Sequence, residues 1–192
     1  MGGVHQRAST PRPRVRGWAS QASRSIERWA MDVMHIPCGH DDWAHLAAMI
    51  DCHDRELIGY EFVLRSRAKA AERAVEAACL ARFWTLRPVG APVLRSDNGL
   101  IFQSRRFRQA CLDYRLQQEF STPYMPEQNG MIERFFRSLK EECVWQYTFQ
   151  TFEEARRIIW DWGQWYNHER PHQALGYRSP VQYRAQHTIQ VA

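Results

Sequence analysis

The residues best suited to catalysis or metal binding are acidic side chains at positions where acidic residues are unusual. Asp32 interrupts residues 29–36, an otherwise largely apolar run that predicts a strand buried on both faces. A carboxylate there is costly unless a metal ion or another partner neutralises it, although a strand end or a loop would also accommodate it. Asp97 follows a short predicted strand at residues 92–95, and such strand ends carry the active groups of many α/β proteins. The Asp-Asn-Gly sequence at this point is also an ordinary turn.

A third acidic residue, Glu133, lies on a long predicted helix at about residues 131–145. At roughly 100° per residue, Glu133 falls at the border of the apolar face and shares its flank with Arg137 and Lys140. An ion pair between Glu133 and Arg137, one helical turn apart, would explain this arrangement. Alternatively, Glu133 binds a metal ion while the two neighbouring cations hold phosphates.

Carboxylates from two strands and one helix would suit Mg²⁺ or Mn²⁺ if they converged, because both ions prefer oxygen ligands. Two such ions about 3.5–4 Å apart activate a nucleophile and stabilise the leaving oxygen in phosphoryl transfer. The pattern does not establish that Asp32, Asp97 and Glu133 meet. It makes their convergence a testable prediction.

The elements that would position these residues form a mixed α/β pattern. Strand-like runs at residues 29–36, 43–51 and 57–64 predict an antiparallel meander. The elements that follow are a helix at 68–84, a strand at 92–95, a helix at 104–114, a strand at 116–121 and helices at 131–145 and 152–168. The expected fold class is therefore α/β, with a mixed five-stranded sheet flanked by helices.

Composition narrows the class of protein. With 192 residues, of which 44% are hydrophobic and 24% charged, the chain is long enough for one domain with a substantial core. No window approaches 18 consecutive apolar residues, and the first residues contain no apolar secretory segment. Five scattered cysteines fit a reducing compartment better than a disulfide framework. We therefore expect a cytoplasmic protein without a membrane partner.

The net charge of +5 is unevenly distributed. Residues 1–28 hold six arginines and one glutamate, whereas residues 29–192 hold 20 basic and 20 acidic residues. We expect residues 1–28 to form a basic flexible arm or linker. The folded part is neutral on average, so its charge does not by itself predict a nucleic-acid partner.

Five motifs point to a known family. They are W-A-M-D at 29–32, I-D-C-H-D-R-E-L-I-G-Y at 50–60, R-S-D-N-G-L-I-F at 95–102, S-T-P-Y-M-P-E-Q-N-G-M-I-E-R-F-F-R-S-L-K-E-E at 121–142 and Y-N-H-E-R-P-H-Q-A-L-G-Y-R-S-P at 166–180. In this order they resemble the integrase core domain of bacterial insertion-sequence transposases of the DDE class, which is related to retroviral integrases. Between Asp97 and Glu133 lie 35 residues, the family's characteristic spacing. The resemblance covers residues 29–185 and leaves 186–192 as a tail.

The resemblance implies a ribonuclease-H-like fold with Asp32, Asp97 and Glu133 as the catalytic, metal-binding triad. Two Mg²⁺ or Mn²⁺ ions are expected, with Asp32 touching both and each of the other carboxylates holding one. The implied activity is DNA transposition or integration: hydrolytic nicking at an element's end, then attack of the freed 3′-hydroxyl on target DNA. Such chemistry needs no covalent enzyme intermediate.

The resemblance also implies a DNA interface around the triad. The loop at residues 123–130 would be the mobile active-site loop, from which Tyr124, Gln128 and Asn129 would reach DNA. Arg137 and Lys140 are the expected phosphate contacts, Lys140 because the family motif has a lysine seven residues after the glutamate.

Other conspicuous residues have structural interpretations. Asp51 and Arg55 match a family motif but are expected to form an ion pair or turn. Arg170 and His172, in the closing motif, would contact DNA or pack against the sheet. A structural zinc site is disfavoured, because the cluster lacks paired short-spaced ligands; its members are His35, Cys38, His40, His45, Cys52 and His53.

Related transposases carry a helix-turn-helix region well upstream of the catalytic core. We therefore expect either a separate helix-turn-helix polypeptide as partner, or a truncated remnant that only binds DNA or modulates a full-length transposase. A structure-selective nuclease is a third possibility. The expected partners are element and target DNA and further copies of the chain, at the bacterial nucleoid.

Overall fold

The computed structural model describes residues 22–65, 67–90, 92–122 and 126–189. They form one five-stranded sheet with the order β3-β2-β1-β4-β5. The strands are β1 (Arg28–Pro37), β2 (Trp43–Asp51), β3 (Leu57–Val63), β4 (Val93–Ser96) and β5 (Gln117–Phe120). The first three are antiparallel neighbours, whereas β4 pairs in parallel with β1 and with β5. The predicted mixed five-stranded sheet is confirmed.

Helices cover both faces of the sheet. They are α1 (Arg67–Phe83), α2 (Leu100–Gln103), α3 (Arg105–Asp113), α4 (Gly130–Glu142), α5 (Phe152–His168) and α6 (Pro180–Ile189). The helix predicted to extend to residue 145 is interrupted at Cys143, where the backbone leaves helical geometry, and residues 144–146 form a 3₁₀ turn. Within the described part of the chain, no helix is long and apolar enough to cross a membrane.

Sequence reasoning missed α6, although its start signal is present. The backbone N–H of Ser179 donates to Gln182 Oε1, and the Gln182 N–H donates to Ser179 Oγ. Ser179, Pro180 and Gln182 thus form a capping box with proline at the first helical position. The helix continues to Ile189, past the predicted tail boundary at residue 185. Of the predicted arm, residues 1–21 lie outside the described residues, and the domain boundaries stay predictions.

Alternation along β1 divides the core into two clusters. Trp29 and Met31 face α1 and α3, whereas Ala30 and Met34 face α4 and α5. Asp32 is in phase with the second set, so β1 directs its carboxylate to the α4 side of the sheet.

On the opposite side, α1 packs closely on β3. A Cβ at Gly59 would lie 2.2 Å from the Ala74 carbonyl oxygen, so only glycine permits this approach. The buried alanines of α1 present an equally flat surface; they are Ala70, Ala71, Ala74 and Ala78. The helix therefore rests directly on the strand backbone and leaves the catalytic candidates to the other face.

Candidate active site

Asp32 lies in the middle of β1, paired with Ala48 of β2, and is partly buried. Its Oδ1 accepts a hydrogen bond of 2.7 Å from the Val33 N–H. The pKa of Asp32 is raised to about 6, first by burial and then by the charges of Asp97 and Glu133, while the Val33 N–H and Lys140 oppose the rise. The carboxylate is thus held at an electrostatic cost that a cation would offset.

Asp97 directly follows β4, at the carboxyl end of a parallel strand beside β1. Its Oδ1 accepts a hydrogen bond of 2.8 Å from the Gly99 N–H. A Cβ at Gly99 would also lie 2.8 Å from this oxygen, so glycine leaves the carboxylate room. The side-chain amide of Asn98 donates to the Ser121 carbonyl oxygen at 2.7 Å. Asn98 therefore ties the turn to the end of β5, as expected of a turn residue.

Glu133 lies in the first turn of α4 and is exposed. Its negative charge is favourable at this end of the helix. Among the residues that the structure describes, Glu133 and Arg137 form no ion pair, so the interpretation of Glu133 as half of an i, i+4 pair is wrong.

Three sequence-distant carboxylates thus share one electrostatic environment. Asp97, Glu133 and Lys140 all act on the pKa of Asp32, so one neighbourhood contains residues from β1, the β4 turn and α4. Within the described ranges, however, no group of three or more His, Cys, Asp or Glu side chains is arranged to hold a metal ion. The donor chemistry, carboxylate oxygens only, fits Mg²⁺ or Mn²⁺, and metal binding by the triad stays a prediction.

The loop before α4 is anchored from inside. Gln128 is only 2% exposed, and its Oε1 accepts a hydrogen bond of 2.7 Å from the Thr122 N–H. The buried Arg95 donates to the Gln128 carbonyl oxygen at 3.2 Å and pairs with Glu119. These contacts hold Gln128, just before α4, against β4 and the end of β5.

Two of the three predicted DNA contacts of this loop, Gln128 and Asn129, are not exposed in this arrangement. The side chains of Gln128 and Asn129 are both buried, so either would reach DNA only if the loop opened. Tyr124 lies outside the described residues. Arg137 is exposed on α4 and Lys140 is partly buried beside Asp32, and both stay candidates for phosphate contact.

Asp51 is a structural hub and not a solvent-facing acid. Its Oδ2 accepts hydrogen bonds from the Ile26 N–H and Trp29 Nε1, and its Oδ1 accepts one from the His53 N–H. The Arg55 N–H donates to the Asp51 carbonyl oxygen, which confirms the predicted turn. The predicted ion pair with Arg55 is wrong, because the guanidinium near Asp51 belongs to Arg82, at 4.0 Å.

Sheet order, helix placement and the position of the acidic residues define a ribonuclease-H-like fold of the retroviral-integrase type. Two family models, both described as integrase core domain, match residues 22–126 and 114–180. The chain belongs to this integrase core domain family.

Individual relatives agree with this assignment. A transposase-like protein of Haemophilus influenzae is 30% identical over 86% of this chain and 74% of its own length. The transposase for insertion sequence element IS904 of Lactococcus lactis is 27% identical over 90% of this chain and 67% of its own length. The HTLV-2 integrase catalytic core in complex with magnesium, in its trimeric form, superposes with a TM-score of 0.60. It is 15% identical over 85% of this chain and 99% of that chain, so this likeness shows the fold alone.

Proposed function

We propose that this chain is the catalytic part of a transposase that nicks DNA at an element's 3′ end and joins the freed 3′-hydroxyl to target DNA. The observation that carries the proposal is the position of Asp32, partly buried and within electrostatic reach of both Asp97 and Glu133. Membership of the integrase core domain family and the transposase relatives support the same class of reaction.

In this proposal Asp32, Asp97 and Glu133 hold two Mg²⁺ or Mn²⁺ ions. When bound, the ions would activate the attacking hydroxyl and stabilise the leaving oxygen. The protein contributes orientation: backbone N–H groups fix one oxygen each of Asp32 and Asp97, which leaves the second oxygen of each for a ligand.

The cations on α4 would bind the negatively charged substrate. Lys140, whose charge acts on Asp32, would hold a phosphate on the side of the carboxylates. Arg137, about one turn away and exposed, would hold a neighbouring part of the DNA backbone. No serine, tyrosine or cysteine nucleophile has a part, because the 3′-hydroxyl itself attacks the target phosphodiester.

A strand-transfer assay tests the proposal. The substrate is a duplex oligonucleotide carrying the terminal repeat of the element that encodes the chain, with Mg²⁺ or Mn²⁺ and a plasmid target. Nicking and joining should be lost in Asp97→Asn and Glu133→Gln while DNA binding persists. Glu141→Gln, the same substitution at an exposed site on the same helix, should retain both activities.

A second candidate function is DNA binding without catalysis, as a modulator of a longer transposase. The observation in its favour is that the triad, among the described residues, is not arranged for metal binding. Intact DNA binding with no nicking or joining under either metal would favour this function. Cutting of DNA junctions without joining would favour a structure-selective nuclease.

Assembly and partners belong to the same proposal. We expect the chain to act on element and target DNA at the nucleoid as a multimer, together with a helix-turn-helix polypeptide. Size-exclusion chromatography with and without duplex DNA would measure the self-association.

A further inference from the structure

Arg137 and Lys140 lie on the same flank of α4 as Glu133. A second group of cationic side chains lies on the opposite flank of this helix, away from Asp32, Asp97 and Glu133. It is a cavity of about 220 Å³, smaller than the roughly 300–1,000 Å³ typical of pockets for drug-sized ligands. Its polar lining side chains include Arg55, Arg134, Ser138, Arg170 and His172. None of its lining residues is acidic, so the cavity is suited to a small anion.

Two of its guanidinium groups have no partner among the residues that the structure describes. Arg55 is partly buried, and neither it nor Arg134 makes an ion pair or side-chain hydrogen bond with any described residue. Desolvation lowers the pKa of Arg55, and the charge of Arg134 lowers it further, although both groups remain cationic. Like charges held together in this way are stabilised by an anion between them.

The third arginine is paired and orients a histidine. Arg170 forms an ion pair with Glu142 and also approaches His172, with 3.4 Å between its Nη1 and the ring Nδ1. Because a guanidinium can only donate, Nδ1 is the acceptor, and a neutral His172 carries its proton on Nε2. Burial and the nearby Arg170 and Arg55 lower the pKa of His172 to about 4, although a weak contact with the Tyr166 backbone opposes the shift, so the ring is neutral.

His172 therefore has an unused donor. Its side chain is only 7% exposed, and Nε2 has no hydrogen-bond partner within the described part of the chain. A buried donor without an acceptor costs about 1–3 kcal/mol. An oxygen-bearing anion in the cavity would satisfy Nε2 and the two arginines together.

The position of the cavity indicates where the anion comes from. At 100° per residue, Arg137 lies about 40° from Glu133 around α4, and Arg134 about 100° in the same direction. Arg134 thus lies at the edge of the cavity that is nearer to the active-site flank. A DNA strand that crosses the exposed side of α4 would pass both.

We propose that this cavity binds one backbone phosphate of DNA, clamped between Arg55 and Arg134 with His172 Nε2 as an additional donor. The inference rests on the proposed function, because it assumes that DNA lies across α4. It adds an anchoring site remote from the carboxylates, which would fix the direction in which the substrate enters the active site. A backbone contact of this kind is independent of base sequence.

Salt-dependent binding of a 30-base-pair duplex of arbitrary sequence, followed by fluorescence anisotropy, tests the proposal. Arg55→Gln and Arg134→Gln should each weaken binding roughly tenfold and reduce the slope of log K against log salt by about 0.9, one phosphate contact. The double variant should lose no more slope than either single variant, since both arginines hold the same phosphate. Arg157→Gln, an exposed arginine on α5 outside the cavity, removes the same charge and should leave the slope unchanged.

Several results would overturn the proposal. The proposal fails if Arg55→Gln and Arg134→Gln bind DNA with the same salt slope as the wild type. If inorganic phosphate then raises the melting temperature of the wild type and not that of these variants, the occupant is a free anion. A double variant that loses two contacts would show independent arginines and no shared phosphate. If the wild-type chain bound no DNA, this proposal and the proposed function would fail together. The predicted slopes without strand transfer would support the phosphate site and count against the catalytic function alone.

Discussion

Replacing Asp32 with asparagine is expected to stabilise the metal-free protein while abolishing catalysis. The wild-type carboxylate is partly desolvated on β1 and repelled by Asp97 and Glu133, so folding confines a charge that the unfolded chain exposes to water. Asparagine has nearly the same shape, carries no charge, and its side-chain oxygen can still accept the Val33 N–H. The substitution therefore removes a cost without opening a cavity.

The size of the effect follows from the pKa. A rise from 3.8 to about 6 corresponds to about 3 kcal/mol at pH 8, because each pKa unit is worth 1.36 kcal/mol. Partial exposure of Asp32 screens the charge, which reduces the expected gain to about 2 kcal/mol. For a chain of this length, that gain raises the melting temperature by about 4–8 °C.

The pH dependence of the stability difference between Asp32→Asn and the wild type follows from the same pKa shift. Well below pH 3.8 the carboxyl is protonated in folded and unfolded protein, so Asp32→Asn and wild type should melt alike, and at pH 4 only a small part of the difference has developed. As pH rises through 4 to 6, the unfolded chain ionises first and the wild type loses stability, until the full difference is reached above pH 6. Thermal melts in EDTA at pH 4 and pH 8 measure the difference.

A matched control and a metal titration complete the experiment. Asp161→Asn, on the exposed side of α5, should change stability by less than about 0.5 kcal/mol at either pH. Magnesium should raise the melting temperature of the wild type and not that of Asp32→Asn. The reasoning is refuted if Asp32→Asn is no more stable than wild type at pH 8, or if its advantage persists unchanged at pH 4.

Three further substitutions test individual contacts. Lys140→Ala should weaken duplex binding and remove about one phosphate contact from its salt slope; an unchanged slope would exclude Lys140 from the interface. Asp51→Asn should lower the free energy of unfolding by about 3 kcal/mol in urea titrations, because its amide nitrogen would face buried N–H donors that now bond to the carboxylate. A loss below about 1 kcal/mol would contradict this structural role of Asp51. Gln128→Ala should leave the Thr122 N–H without its acceptor and speed its hydrogen exchange at least tenfold, with Gln146→Ala, on an exposed turn, as control.

Local sequence signals predicted the elements well where each had its own period or stop signal. The apolar runs of β1 and β2 and the apolar stripe of α4 carry their information within a few residues. The same signals do not predict α6, because the capping box at Ser179 becomes evident only from its hydrogen bonds with Gln182. The local signals also extend α4 through Cys143, where no proline or glycine marks the end.

Some site residues could also be predicted from local sequence, whereas others depend on contacts between distant segments. Asp97 and its turn are predictable, since Asp-Asn-Gly after a short strand contains both the acid and the glycine that it needs. The burial of Gln128 was not predictable, because its contacts are made by Arg95 of β4 and by Thr122, just after β5. The cluster around His172 had no local signal either, since Arg55, Arg134 and Arg170 come from three distant segments.

The sequence by itself therefore determined the order of the five strands and of four helices, α1, α3, α4 and α5, together with the family motifs and the identity of the three acids. Only the tertiary structure decided that β1 directs Asp32 toward α4 and that Asp97 and Glu133 bear on its charge. It also decided that two arginines face a common cavity with no acidic partner among the described residues. The physical reason is the distance along the chain over which each interaction acts. Hydrogen-bonded turns and apolar periods act between neighbours in the chain, whereas desolvation and charge repulsion depend on distances that exist only after the sheet and its helices have packed.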